Sequence, residues 1–211
     1  MDRYRAIGDF LQATIALIAI ANPVAALPVF LSLVASDDPA ARRAAASRVA
    51  VAVFAILAGA VLIGRFVLGM FGVSFAAFRV GGGLVVTLTG LDMLRRQYPM
   101  AEEDAAATAL SAADQLIVPV AMPLIAGPGT IITAMTMTAR TSSVGPPWVV
   151  VVAVAVVALV VWVVLLLSGI LHRRIGRRGE AIVVRFMGLV LVAIGAQLVL
   201  GGIAEFFGAA R

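Results

Sequence analysis

The chain has 211 residues, of which 63% are hydrophobic and 13% are charged, and its mean hydropathy is +1.11. This composition excludes an ordinary water-soluble domain and is typical of a protein that spans a membrane. The net charge of +5 comes from arginines that mostly flank apolar segments, so it indicates membrane topology rather than nucleic-acid binding. The sequence contains no Cys, which excludes disulfides and Cys-ligated metal sites.

Six apolar segments follow one another along the chain, and each is long enough for a helix to cross a hydrocarbon core of about 30 Å. They are Ile7–Ala35, Val49–Phe71, Phe75–Leu94, Ala112–Ala139, Trp148–Leu171 and Ile182–Phe207. The links between them are too short to hold a soluble domain. The sequence therefore predicts an all-α polytopic protein in the lipid bilayer, with a single membrane domain at residues 1–211.

The first and fourth segments are interrupted by matching motifs. Ile20-Ala21-Asn22-Pro23 lies in the middle of the first segment, and Ile125-Ala126-Gly127-Pro128 lies in the fourth. Proline cannot donate to the helix ladder and clashes with the preceding turn, so each segment is expected to stop or kink there. Paired interruptions in two halves of a membrane protein are typical of a transporter binding site.

The same offset of 105 residues (128 minus 23) aligns further positions in the third and sixth segments. It places Gly83 on Gly188, Gly90 on Gly195, and Asp92 on Gln197. We therefore predict two repeats, at about 7–95 and about 112–207, joined by an exposed linker at about 96–111. Each repeat holds three crossings, an odd number, so the two repeats must be inverted with respect to each other in the membrane.

The second and fifth segments differ in composition from the third and sixth. Their central parts are almost wholly Val, Ala and Leu, and we expect them to face lipid. The third and sixth segments contain the repeated glycines, which let helices approach closely in a membrane. We expect these two segments to be the neighbours of the broken pair.

The residues at the two breaks favour the start of a new helix. Asn22 is a good N-cap with Pro23 in the first helical position, and Gly127-Pro128-Gly129 suits the same role. Two half-helix N-termini near the membrane centre would attract a carboxylate, while the opposing carbonyl ends suit an ammonium group. The candidate substrate-binding residues are Asn22, Pro23, Val24, Gly127, Pro128, Gly129, Thr130 and Thr133. The alternative is that the prolines only kink two long helices.

Asp92 is the deepest carboxylate in the predicted membrane segments, and ionisable residues in membranes are candidates for function. It has two interpretations. One is an interfacial ion pair with Arg95 or Arg96 that closes the third helix. The other is a site for a coupling ion, with Gln197 as its neutral counterpart in the second repeat.

The arginines also predict the orientation of the chain. With six crossings, the first, third and fifth links share one side, and they carry most of the arginines, including Arg42, Arg43, Arg173 and Arg174. Positive charge favours the cytoplasmic side, so both termini are predicted to be extracytoplasmic.

The residues at the breaks resemble a known family. The stretches at 22–30 and 123–131, with their Asn-Pro and Gly-Pro-Gly motifs, and Leu91-Asp92-Met93-Leu94 are similar to those of the MarC family of bacterial inner-membrane proteins. The resemblance covers essentially the whole chain. It implies a six-helix protein of the inner membrane, grouped with transporters of small neutral amino acids such as glycine and alanine.

The sequence thus predicts a secondary transporter for a small neutral amino acid or similar metabolite, working by alternating access. No ATP-binding loop is present, so the driving force would be an ion gradient, of H⁺ or Na⁺, or a partner. The alternative is a channel or a structural or regulatory membrane protein. An enzyme is not predicted, because the sequence has no Cys and one His, and its run of carboxylates at 102–104 falls in the predicted linker. No cofactor is expected.

Overall fold

The computed structural model describes residues 2–34, 39–95, 125–141 and 148–208. Within these ranges the protein is all-helical and contains no strand. The helices in the described ranges are α1 (Asp2–Ala21), α2 (Leu27–Leu33), α3 (Pro39–Met70), α4 (Phe75–Arg95), α5 (Pro128–Thr141), α6 (Trp148–Leu166) and α7 (Ser168–Gly208). The predicted linker at about 96–111 and the start of the fourth segment lie outside the described residues.

Four helical stretches in the described ranges are long and apolar enough to cross a membrane. They are Pro39–Met70, Phe75–Arg95, Val149–Leu166 and Ala181–Gly208. They correspond to the second, third, fifth and sixth predicted segments. The first segment is divided between α1 and α2, and the described part of the fourth segment contains α5.

One uninterrupted helix, α3, begins earlier than the sequence predicts. Helix α4 begins at Phe75 as predicted, but α3 begins at Pro39 rather than Val49. The early turns of α3 are amphipathic: Arg43 and Arg48 are exposed, whereas Ala45 and Ala46 are buried. The mean hydropathy of such turns is low, because their charged residues offset their apolar ones, and the predicted segment therefore begins after them.

The main core lies where α1, α3 and α6 meet. Its fully buried side chains come from every third or fourth residue of α6, at Val150, Val154, Val157, Val161 and Leu165. Alternate positions such as Leu159 are exposed. The expectation that the second and fifth segments face lipid is therefore wrong for one face of each, because a helix that is apolar all round does not reveal in its sequence which side meets protein.

Helices α4 and α7 pack most closely, and they run antiparallel. A Cβ added to Gly90 would lie 2.6 Å from the carbonyl oxygen of Gly188, and one added to Gly202 would lie 2.8 Å from that of Ala76. Backbone meets backbone along this line, as expected for small residues at a helix interface in a membrane. The repeated glycines of the third and sixth segments thus pack against each other.

Two glycines with positive φ separate helical stretches. Gly72, with φ of 65°, lies in the turn between α3 and α4, and Gly176, with φ of 64°, kinks α7. Glycine is suited to both positions because side chains disfavour positive φ. The long apolar part of α7 therefore begins after the kink, near the start predicted at Ile182.

The helices that adjoin the breaks, α1 and α5, contact α4 and also α3 and α6. Ile132 of α5 fills the space beside Gly82 of α4, and the sulfur of Met135 lies 2.7 Å from where a Cβ of Gly64 in α3 would be. Helix α1 packs against α5 and α6. The expectation that α4 and α7 are the neighbours of the breaks is thus incomplete, since α3 and α6 also surround them.

Candidate functional site at the two helix breaks

At the first break, α1 ends just before Asn22, whose backbone has the left-handed conformation. Asn22 has φ of 37°, and its backbone N–H donates to the carbonyl oxygen of Ile18 at 3.0 Å. Asn is one of the few residues that takes this conformation at low cost, which makes it a common residue just past a helix C-terminus. The carbonyl groups of Ala19, Ile20 and Ala21 receive no hydrogen bond from within α1.

The prediction that Asn22 is the N-cap of a second half-helix, with Pro23 in its first turn, is wrong. Helix α2 begins at Leu27, with Ala26 in the N-cap position. Pro23 and Val24 lie in the intervening turn, which is held by the Val24 carbonyl accepting from the Leu27 N–H at 3.2 Å. Asn22 therefore lies at the carbonyl end of α1, and the N-terminus of α2 lies five residues further along the chain, at Leu27.

The side chain of Asn22 points towards α4. It is only 4% exposed, and its Nδ2 lies 4.0 Å from the sulfur of Met93, which is a weak acceptor. An amide group has two N–H donors and an oxygen, and a single sulfur contact uses little of this capacity. Asn22 therefore retains hydrogen-bonding capacity in the buried interior at the end of α1.

The second break begins a helix as predicted. Helix α5 starts at Pro128, and the carbonyl oxygen of Gly127 accepts its first backbone hydrogen bond, from Ile131 at 3.1 Å. The hydroxyl of Thr130 donates to the carbonyl oxygen of Ile125 at 2.7 Å. The N–H groups of Gly129 and Thr130 lie in the first turn, where no acceptor exists within the helix. This end of α5 carries the partial positive charge of the helix dipole.

The structure brings the two breaks together. A Cβ on Gly129 would lie 3.4 Å from Cγ2 of Ile20 and 2.5 Å from Cγ2 of Val86 in α4. Ala21, Ile125 and Ala126 belong to the same apolar cluster and are 0%, 0% and 1% exposed. The negative, carbonyl end of α1 is therefore next to the positive, N–H end of α5. Ile20 and Ala21 are buried, whereas Gly129 is half-buried and Pro128 is exposed.

Two threonines of α5 have no partner for their hydroxyls. Thr133 is 1% exposed and Thr136 is 2% exposed, and neither Oγ1 has a hydrogen-bond partner. Buried threonines in helices usually donate to the preceding turn, as Thr138 does to Ala134 at 2.9 Å. A buried, unpaired hydroxyl calls for an explanation, and a bound polar ligand supplies one. The sequence singled out Thr130 and Thr133 but missed Thr136, although the spacing of three residues pointed to it.

Asp92 and Gln197 do not join this site. Both residues are exposed, on α4 and α7 respectively. The antiparallel register, in which Gly83 meets Gly195 and Gly90 meets Gly188, also separates the two along the helix pair. Their role in ion coupling stays a prediction.

An ion pair that the sequence did not predict connects α4 and α7. Nη1 of Arg79 lies 2.6 Å from Oε2 of Glu205, and the Arg79 side chain is 9% exposed, compared with 44% for Glu205. The two residues are 126 positions apart in the sequence, near the start of the third predicted segment and the end of the sixth. Gly201 makes room for the guanidinium, since a Cβ at that position would meet Arg79.

Comparisons with known proteins match nearly the whole chain to one family. The family model of the MarC family integral membrane protein matches residues 7–207. No solved structure matches the chain at a significant level.

Relatives from both bacteria and an archaeon are similar over nearly their whole length. A membrane protein of Methanocaldococcus jannaschii is 34% identical over 195 residues, covering 92% of this chain and 95% of its own. The inner membrane protein MarC of Salmonella typhimurium is 34% identical over 220 aligned positions, covering 97% of each chain. MarC of Escherichia coli O139:H28 is similar to the same extent. With inner membrane relatives and several apolar helices, this chain is a multi-pass membrane protein, and it belongs to the MarC family.

Proposed function

We propose that this protein is a secondary transporter of a small neutral amino acid and that the junction of the two breaks is its substrate site. The observation that carries the proposal is the contact between Ile20 at the carbonyl end of α1 and Gly129 at the N–H end of α5. Opposite partial charges side by side, at the edge of a buried apolar cluster, complement a zwitterion, whose carboxylate and ammonium groups are separated by a single carbon.

Each charged group of the substrate has its own partners in this proposal. The carboxylate accepts from the N–H groups of Gly129 and Thr130, where the dipole of α5 favours an anion. The ammonium group donates to the free carbonyls at the end of α1, from Ala19 to Ala21. The unpaired Thr133 hydroxyl, one turn further along α5, supports a polar ligand there, because an empty site would leave this hydroxyl without any hydrogen bond.

The apolar neighbours of the site favour a small substrate. Ile20 and Val86 approach Gly129 so closely that a methyl group on Gly129 would have no room beside Val86. A substrate carboxylate held at this N-terminus would bring its own Cα near the same side chains. We therefore propose that glycine or alanine fits, as the family resemblance also implies, and that large side chains are excluded.

We further propose that the chain crosses the membrane six times as two inverted repeats, and that alternating access arises from their relative movement. The contacts of α4 and α7 support this proposal. The offset of 105 residues converts Gly83 into Gly188 and Gly90 into Gly195, and the contacting pairs are Gly83 with Gly195 and Gly90 with Gly188. This reciprocal pattern is what a local two-fold axis between equivalent helices produces.

The driving force is proposed to be a gradient of H⁺ or Na⁺. Asp92 is the candidate residue for coupling, although it lies on an exposed part of α4, next to Met93, which contacts Asn22. Transport by Asp92→Asn should lose its dependence on pH or Na⁺ if the carboxylate binds the ion. Unchanged ion dependence would assign Asp92 to the membrane interface.

The test of the proposed function is counterflow in proteoliposomes. Purified protein is reconstituted in vesicles preloaded with unlabelled glycine, alanine, leucine or glutamate, and entry of labelled glycine is measured against protein-free vesicles. A carrier should show saturable entry that is accelerated by internal glycine or alanine and not by leucine or glutamate. Continuous, non-saturating flux would indicate a channel, and the lack of any flux across a full panel of neutral amino acids would indicate a structural or regulatory protein.

A further inference from the structure

A second region with buried polar groups that lack a hydrogen-bond partner lies at the junction of α6 and α7. Helix α6 ends at Leu166 and α7 begins at Ser168, with Leu167 between them. The N–H of Leu167 donates to Val163 at 3.0 Å, and the N–H of Leu171 donates to Leu167 at 2.8 Å. The N–H groups of Ser168, Gly169 and Ile170 therefore lie in the first turn of α7, where no acceptor exists within α7 itself, and the last carbonyl groups of α6 directly precede them in the chain.

A guanidinium group packs against this helix N-terminus. A Cβ on Gly169 would lie 3.0 Å from Nη1 and 3.5 Å from Cζ of Arg42, which comes from the first turns of α3. The Nε of Arg42 is buried and has no hydrogen-bond partner. Glycine at position 169 is what allows the side chain of Arg42 to come so close to the helix end.

Ser168 is the second unpaired group at this place. It is 0% exposed, and its Oγ has no hydrogen-bond partner. It is the first residue of α7, directly before Gly169, which Arg42 approaches. Ala46 and Leu165, on the adjoining parts of α3 and α6, are also 0% exposed and provide no polar alternative.

Among the described residues, no carboxylate pairs with Arg42. A cation placed against the positive end of a helix dipole is unfavourable by itself, and burial strengthens the repulsion. An anion between them reverses the sign of both interactions. Helix N–H groups, a hydroxyl and an arginine fork are the donors that bind tetrahedral phosphate oxygens in proteins.

We propose that Arg42, Ser168 and the first turn of α7 form a binding site for a phosphate group. The site is separate from the helix breaks, because it is built from α3 and the α6–α7 junction. It lies at the arginine-rich end of the bundle, where Arg43, Arg48 and Arg174 are exposed. The phosphate belongs either to an anionic lipid headgroup or to a soluble phosphate, and both present the same oxygens to the site.

Binding is measured on delipidated protein in neutral detergent by native mass spectrometry and by the ligand-induced shift in unfolding temperature. One arm compares dioctanoyl-phosphatidylglycerol with dioctanoylglycerol, which has the same chains without phosphate. The other arm compares inorganic phosphate with chloride at equal ionic strength. Binding of the phospholipid alone identifies a lipid headgroup, and binding of both phosphate compounds identifies a site open to soluble phosphate.

Two variants and a matched control tie the binding to these residues. Arg42→Gln should weaken phosphate binding at least tenfold, because a charge-assisted hydrogen bond is lost. Ser168→Ala should weaken it roughly three- to tenfold with all charges retained, and it remains informative if Arg42→Gln does not fold. Arg43→Gln removes the same charge from the adjacent, exposed position and should leave binding unchanged.

Three results would overturn the proposal. One is that neither phosphate compound binds the unaltered protein. Another is that Arg43→Gln weakens binding as much as Arg42→Gln, which would indicate general attraction to a basic surface. The third is unchanged binding by Ser168→Ala.

Discussion

Gly83 of α4 and Gly195 of α7 lie in direct backbone contact. A Cβ on either residue would come within 2.7 Å of the other residue's carbonyl oxygen. Because both obstacles belong to main chains, neither can move away by a change of rotamer. The contact therefore fixes the distance between two membrane helices that come from the two proposed repeats.

Gly195→Ala is expected to lower the free energy of unfolding by about 1–3 kcal/mol, as is usual when atoms are forced into a packed interface. The measurement is thermal unfolding in detergent. Gly81→Ala is the matched control, because an added Cβ there meets nothing within 4 Å. If Gly195→Ala and Gly81→Ala unfold at the same temperature, the close approach of the two helices is not real.

The contact between Gly129 and Val86 predicts a compensating pair of substitutions. Gly129→Ala places a methyl group 2.5 Å from Cγ2 of Val86 and should displace the start of α5, so glycine uptake should fall at least tenfold. Gly129→Ala combined with Val86→Ala removes the obstacle and should recover much of the uptake. Double-mutant uptake no better than that of Gly129→Ala alone would argue against this contact as the cause.

Asn22 has a backbone role and a side-chain role, which two substitutions separate. Asn22→Gly tolerates the positive φ and should keep the free energy of unfolding within about 1 kcal/mol of the unaltered protein, while losing the amide. Asn22→Leu should lose roughly 1–2 kcal/mol, because a bulky side chain is strained at this φ. Normal stability with reduced glycine uptake in Asn22→Gly would indicate that the amide contacts substrate. Normal uptake in Asn22→Gly would limit Asn22 to ending α1.

Thr133→Val tests whether the unpaired hydroxyl serves the substrate. Valine has nearly the same shape, and the removal of a buried group without a partner should leave stability unchanged or raise it slightly. Glycine uptake should nevertheless fall roughly tenfold, since the substrate loses a hydrogen bond in a buried site. Thr138→Val is the control, because the Thr138 hydroxyl bonds Ala134 within its own helix. Equal uptake by both variants would remove Thr133 from the site.

The positions of the two breaks in the chain were predictable from the sequence. The break in the first segment does fall at Ala21 and Asn22, and α5 does begin at Pro128, because a proline without an N–H cannot continue a helix. The role of Asn22 was not predictable. Asn is favoured both as an N-cap and as a left-handed residue after a helix, and only the fold decides between the two.

The pairing of Arg79 with Glu205 shows a second limit. The two residues are far apart in the sequence, and neither has a neighbour along its own helix that indicates a partner. The antiparallel register of α4 and α7 brings them together, and that register depends on glycine contacts along the length of both helices. The same limit applies to Arg42 and Gly169, which meet only because α3 packs against the α6–α7 junction.

The sequence by itself determined that this chain is a membrane protein, where its first and fourth segments are interrupted, and which glycines repeat. These properties follow from local chemistry: apolar length, the missing N–H of proline, and the missing Cβ of glycine. Only the tertiary structure decided that the carbonyl end of α1 meets the N–H end of α5, which face of α3 and α6 is buried, and which charges pair. Those relationships depend on the packing of distant segments, and in a uniformly apolar helix the sequence carries no mark of the side that will meet another helix.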